Sequence, residues 1–357
     1  MNEESVLRAL TGLRLSVAGR SKEALEWLPR EVPGLRSYIA QIAKMPESHP
    51  PGPIGDLVRG WGAYYRAEYA RAYSLFSGAR ANDIPLVRAS ALLGMGKVCT
   101  DLGFLARAAW WCQLASAVAR EFEHDDLVAA AQGARGEALL RAGCPRLALE
   151  AFTLDLGLLP AGDKFRGRVS CYQAHAYRRL GAYSAAKLGY RISAQLPGEG
   201  TAPYAYAGLA SLGADTSDKG LVEEAVRFAE HLQQTVAVHV SLAWIYLARA
   251  WQERQDRQAL AGWLEKARIG LPREYVFEHR WLAQWLVVIG EQHAEKVQAA
   301  AGIDDFVPES PEASDSVRDL VFDGEPLASD VLDTGFRSLR WATDLEELWE
   351  QRLLFMH

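Results

Sequence analysis

Four of the chain's eight histidines, His231, His239, His279 and His293, fall within one third of its length. Two of them have carboxylates close by, in Glu278-His279-Arg280 and in the run from Glu291 through His293 to Glu295. Imidazole and carboxylate together can build a metal centre. The spacing here does not form one of the known ligand pairs, and H-E-x-x-H is absent. Histidines on helix surfaces are the simpler reading. A metal protein or metal-dependent enzyme using the His231–His293 region stays as a third functional alternative. Gly94-Met95-Gly96-Lys97-Val98 suggests a phosphate loop, but it lacks the G-x4-G-K-[ST] spacing and lies inside a helical pattern. No G-x-S-x-G occurs either. The cysteines Cys99, Cys112, Cys144 and Cys171 are scattered without C-x-x-C spacing. They read as small core residues of a protein kept reduced, which points to the cytoplasm. The expectation is therefore no catalytic residue, no metal ligand and no cofactor.

The elements that would position any such residues are helices. From Gly136 to Pro160 the chain reads GEALLRAGCPRLALEAFTLDLGLLP. Gly143 is placed for a left-handed helix cap, and Pro145 for the first turn of the next helix. Leu147, Ala148, Ala151, Phe152 and Asp155 then follow helical spacing until Pro160 stops it. The stretch predicts a helical hairpin in which Gly136 and Ala148 allow close approach and Phe152 fills the space beside them. Related hairpins recur along the chain. Gly12, Gly19, Ala24 and Leu28 mark one, Gly60, Ala72 and Phe76 a second, and Gly96, Gly103 and Ala108 a third. Gly181, Ala186 and Tyr190 follow, then Trp244, Leu247, Trp251, Ala267 and Pro272. The central alanines of the second helices are Ala24, Ala72, Ala108, Ala148, Ala186, Ala225 and about Ala259, at steps of 48, 36, 40, 38, 39 and 34 residues. A two-helix unit repeating at such a period means a stacked solenoid.

The pattern resembles the tetratricopeptide repeat (TPR) family over residues 5–275. The unit from Gly136 matches at Gly136, Gly143, Ala148, Phe152 and Pro160. The unit from Trp244 matches at Trp244, Leu247, Ala267 and Pro272. The fifth full unit departs most, because Ala214 to Gly220 (ADTSDKG) reads as a lengthened turn. The resemblance implies an all-α solenoid of about seven TPR-like helix pairs. It also implies that the first helices line a concave groove that takes a protein or peptide. Carried over unit by unit, the groove positions are Trp61, Tyr64 and Tyr65; Lys97, Thr100 and Asp101; Glu137, Leu140 and Arg141; and His175, Arg178 and Arg179. Aromatic and arginine side chains are common interface anchors, and the cations would suit a partner with acidic groups.

Composition places the rest. Apolar residues at 49% and charged residues at 24% fit a folded protein, and the eleven tryptophans suit spacers between stacked helices. No apolar run is long enough to predict a membrane span. Residues 1–46 predict an N-terminal TPR-like unit, 47–56 a proline-rich linker that explains the 48-residue step, and 57–302 the main array. The array would close with a helix over 274–301 that carries Trp281, Trp285, Val288 and Ile289 on one stripe. Residues 303–333 hold ten acidic residues and one arginine, which leaves +3 on the rest of a chain of net charge −6. That segment reads as a flexible tether, and no basic footprint for nucleic acid is present. Residues 334–357 predict an amphipathic helix with Leu345, Leu348, Trp349 and Leu353 on one face. It would pack on its own solenoid, on a partner, or on a second copy.

The expected function is that of a non-catalytic adaptor, scaffold or assembly factor that holds a partner in the groove. The first alternative is a regulatory sensor of a signalling peptide or small effector.

Overall fold

The computed structural model describes residues 52–66, 68–163, 165–196, 201–233, 240–271, 276–290 and 344–351. The N-terminal unit, residues 47–51 of the linker, the acidic segment, His239 and His293 lie outside the described residues. Among the described residues every regular element is a helix. In chain order they are α1 (Pro53–Tyr65), α2 (Tyr69–Ala79), α3 (Pro85–Asp101), α4 (Leu105–Glu121), α5 (Asp125–Arg141), α6 (Pro145–Leu158) and α7 (Phe165–Arg179). There follow α8 (Tyr183–Gln195), α9 (Thr201–Asp215), α10 (Lys219–Gln233), α11 (Val240–Gln252), α12 (Arg257–Gly270), α13 (Val276–Val288) and α14 (Leu345–Gln351). The fold is an all-α solenoid of helical hairpins. It divides into two compact units. Unit 1 holds α1–α4 and α5 through Leu139. Unit 2 holds the end of α5 from Leu140, α6 through Leu156, and α7–α14.

The chain starts and stops its helices with local chemistry. Prolines open α1, α3 and α6, where a missing N–H costs nothing. Asp256 caps α12 by accepting hydrogen bonds from Gln258 N at 3.0 Å and Ala259 N at 3.1 Å. Four of the turns from first to second helix share one backbone form. Gly103, Gly143 and Gly181 have φ of +78°, +82° and +74°, a conformation that glycine enters without steric cost. Ser217 takes the same place after α9 with φ +57°. The turn from α9 to α10 is Thr216-Ser217-Asp218, three residues like Leu102-Gly103-Phe104. The expected lengthening there is absent: a serine does in the left-handed position what glycine does elsewhere.

Stacking depends on the small and large residues of the pattern. Ala72, Ala108, Ala148, Ala186 and Ala225 are all fully buried. In the last hairpin Leu260, not Ala259, holds the buried central place, with Leu264 and Ala267 beside it. Phe76 shows why the small residues recur. A Cβ on Gly60 would come within 2.7 Å of its ring, and one on Gly94 within 2.6 Å. The ring is held between its own hairpin's first helix and the next hairpin's, so one side chain sets both spacings. α13 carries Trp281 and Trp285 fully buried in the core of unit 2. Among the described residues α13 runs to Val288 and Gly290 follows with φ +79°; residues 291–301 of the expected closing helix lie outside the described residues.

Candidate partner-binding face

First helices pack directly on first helices, α1 on α3 in unit 1, and α7 on α9 and α9 on α11 in unit 2. Their C-terminal turns carry the residues singled out from the sequence.

In unit 1, Trp61 is buried and stacks on Tyr65, with ring centroids 6.2 Å apart; Tyr65 is 43% exposed. Tyr64 makes an edge contact with Tyr65 at 5.3 Å. The Tyr64 hydroxyl faces the Asp101 carboxylate of the next first helix. Burial, and then the Asp101 carboxylate, hold this phenol well above its ordinary range, so it stays a neutral donor. One hairpin on, Lys97 Nζ lies 4.0 Å from Glu137 Oε2, where the carboxylate is buried and the ammonium partly exposed. Thr100 is buried and gives its hydroxyl to Gly96 O in its own helix at 3.1 Å.

In unit 2, Arg179 donates from Nη1 to the carbonyl of Leu140. Arg178 Nη1 lies 3.4 Å from Asp215 Oδ2. Gln252 Nε2 donates to Gly213 O at 3.3 Å. Arg141 and Arg178 are buried, and Arg179 is partly so. Burial first, then Arg178 and Arg141, lower the Arg179 pKa to about 10, which leaves it charged at neutral pH. His175 sits under this cluster. Its Nδ1 meets the Tyr190 hydroxyl at 2.7 Å and its Nε2 meets Cys171 Sγ at 3.6 Å. Burial, then Arg178 and Arg179, push its pKa well down, so the ring is a neutral packing and hydrogen-bonding group.

One register links these contacts. Tyr64 to Asp101, Lys97 to Glu137, Leu140 to Arg179, Arg178 to Asp215 and Gly213 to Gln252 are all separated by one repeat, 37 to 40 residues. The structure thus brings Tyr64 with Asp101, Lys97 with Glu137 and Leu140 with Arg179, each pair tying one first helix to the next. Trp61, Tyr65, Thr100 and His175 instead make their described contacts within their own hairpins. Asp215 and Gln252 belong to the same row and were not among the residues read from the sequence. The signal was present: Asp215 lies 37 residues beyond Arg178. It was obscured by assigning Asp215 to a turn instead of the last residue of α9.

Elsewhere the chemistry is quiet. His231 is exposed on α10 and His279 is half-buried on α13. Among the described residues no three His, Cys, Asp or Glu side chains come together as a metal site would need. None of the four cysteines is in a disulfide, and burial pushes the thiols of Cys112 and Cys171 up to about 12. Neither is a nucleophile at neutral pH. Among the described residues no helix is long and apolar enough to cross a membrane.

No family profile matches the sequence, and neither does any curated protein. Solved structures do match. A Rap protein, crystallised in complex with competence and sporulation factor, superposes with a TM-score of 0.56 over 84% of this chain and 95% of that one, at 13% identity. This is a tetratricopeptide-type helical-repeat fold. The likeness spans the hairpins of both units, and at that identity it speaks for the fold alone.

Proposed function

We propose that this chain is a non-catalytic binding module that holds a partner protein or peptide along the C-terminal turns of its first helices. The observation that carries the reading is the polar row itself. A seam between stacked helices is at least as stable when built from well-packed apolar side chains, because burying paired charges costs desolvation. Stability therefore does not account for Glu137, Arg141, His175, Arg178 and Asp215 in that seam. Recognition does: unit 1 offers Tyr65 and the aromatic rings beside it, and unit 2 offers arginines as anchors for acidic groups. The fold supports this reading, since a Rap protein of the same fold was crystallised in complex with a factor. Four cysteines outside any disulfide fit work in a reducing compartment such as the cytoplasm.

One observation favours a second reading, a regulatory sensor of a small effector or signalling peptide. Arg141, Arg178 and His175 are each less than 5% exposed. Groups so enclosed suit a ligand that enters the seam better than a protein surface that lies across it.

Both readings are tested by purification from native lysate followed by native mass spectrometry. The intact chain is compared with Tyr65→Ala/Arg141→Ala/Arg178→Ala, and circular dichroism confirms that the variant is folded. A stoichiometric polypeptide lost in the variant supports the module. A co-purifying small molecule lost in the variant supports the sensor. A companion retained equally by both chains rejects the face.

A further inference from the structure

The helix α14 lies on unit 2 as a bound ligand would. Leu348 and Trp349 are its two fully or nearly fully buried side chains. The Trp349 indole stacks on Trp251 of α11, with centroids 5.1 Å apart and planes 5° from parallel. Its Nε1–H donates to Asp215 Oδ1 at 3.2 Å. The Leu348 carbonyl accepts from Trp281 Nε1 of α13 at 2.9 Å. Asp215 therefore serves two clients, Trp349 through Oδ1 and Arg178 through Oδ2. One of those clients is the terminal helix, and the other belongs to the polar row.

The seat is selective, because Asp215 accepts the indole N–H while Trp251 stacks on the ring. Its occupant is small, seven helical residues. Isolated helices of that length do not form in water, so α14 is a helix because it is docked.

We infer that α14 is an internal ligand. It fills the end of the first-helix row in unit 2 and gives way to an amphipathic helix of a partner chain that carries the same leucine–tryptophan pair among acidic residues. The inference rests on the binding-face reading and names the partner chemistry and the regulation of that face. The acidic character follows from α14 itself, where Asp344, Glu346, Glu347 and Glu350 surround Leu348 and Trp349 in the sequence. Arg178 reaches the seat, where it shares Asp215 with Trp349. α14 belongs to the same chain as its seat, so it competes intramolecularly and a partner binds there only as α14 lets go.

The test uses the full chain and a fluorescently labelled peptide copy of residues 341–355, read by anisotropy. Three forms are compared: wild type, Trp349→Ala, and a chain with a protease site inserted after residue 320, folded and then cut. The peptide is expected to bind Trp349→Ala and the cut chain at least about ten-fold more tightly than wild type, as loss of the tether advantage requires. A peptide carrying Trp349→Ala is expected to bind none of the three. Equal binding to all forms, or none to any, would overturn the inference. If Trp349→Ala proves unfolded, the cut chain decides alone. No natural partner enters this assay, so a failed search for one bears on the binding-face reading and leaves the peptide result standing on its own.

Discussion

His175 shows how much a single buried side chain can report. Both ring nitrogens are engaged, and the nearby charged groups Arg178 and Arg179 repel a proton. Cys171 and Tyr190, its hydrogen-bond partners, stay neutral because burial raises both. The folded protein therefore keeps His175 unprotonated, while the unfolded chain takes up a proton as the pH falls through about 6.5. Proton uptake by the unfolded state favours unfolding, so stability is complete above that pH and declines as the pH drops below it. Thermal melts between pH 7.5 and 5.5 should show a falling midpoint, and His175→Gln should flatten the slope. Equal slopes would mean the ring is protonated in the folded state. At the same scale, Arg178 and Asp215 should be coupled. A double-mutant cycle with Arg178→Ala and Asp215→Ala, read by urea unfolding, should give an interaction of about 1–3 kcal/mol. Additive losses would show that the two contribute independently.

The helical hairpin works through close approach, as Gly96 makes plain. A Cβ there would lie 2.4 Å from Cys112 Sγ and 3.2 Å from the Ala108 carbonyl. Because the second contact is backbone, α3 and α4 would have to separate. Gly96→Val should cost about 1–3 kcal/mol by overpacking, measurable in chemical unfolding, whereas the same change at Gly157 should cost little, since nothing lies within 4 Å of a Cβ there. This scale was the most legible in the sequence. Glycine, alanine and a ring at fixed offsets are steric requirements, and steric requirements leave few alternatives. The hairpin bounds, the left-handed glycines and the buried alanines could all be read from residue size alone. The polar row was legible only in half. Each partner was visible, but pairing them needs the rotation of one helix on the next, which no local pattern encodes. The turn at Ser217 was misread because a left-handed serine carries none of glycine's signal. The seat of α14 was the least accessible, since it joins Trp349 to Asp215, 134 positions away, and no local pattern encodes that contact.

Across the molecule, two kinds of surface are on offer. In each unit the first helices present polar pairs, and in unit 1 Tyr65 is exposed beside them. The second helices present apolar groups in isolation, among them Leu188 at 61% exposure on α8 and Ile269 at 72% on α12. Single exposed apolar residues are ordinary on folded proteins and do not by themselves mark a site. The account places recognition on the first-helix side in each unit, and a photo-crosslinking amino acid tests that placement most directly. It is introduced singly at Tyr65 and Arg179 on the first helices and at Leu188 and Ile269 on the second, and each chain is irradiated in native lysate. The account predicts a specific crosslinked species from Tyr65 or Arg179 and none from Leu188 or Ile269. Crosslinks from the second-helix positions alone, with none from Tyr65 or Arg179, would contradict it.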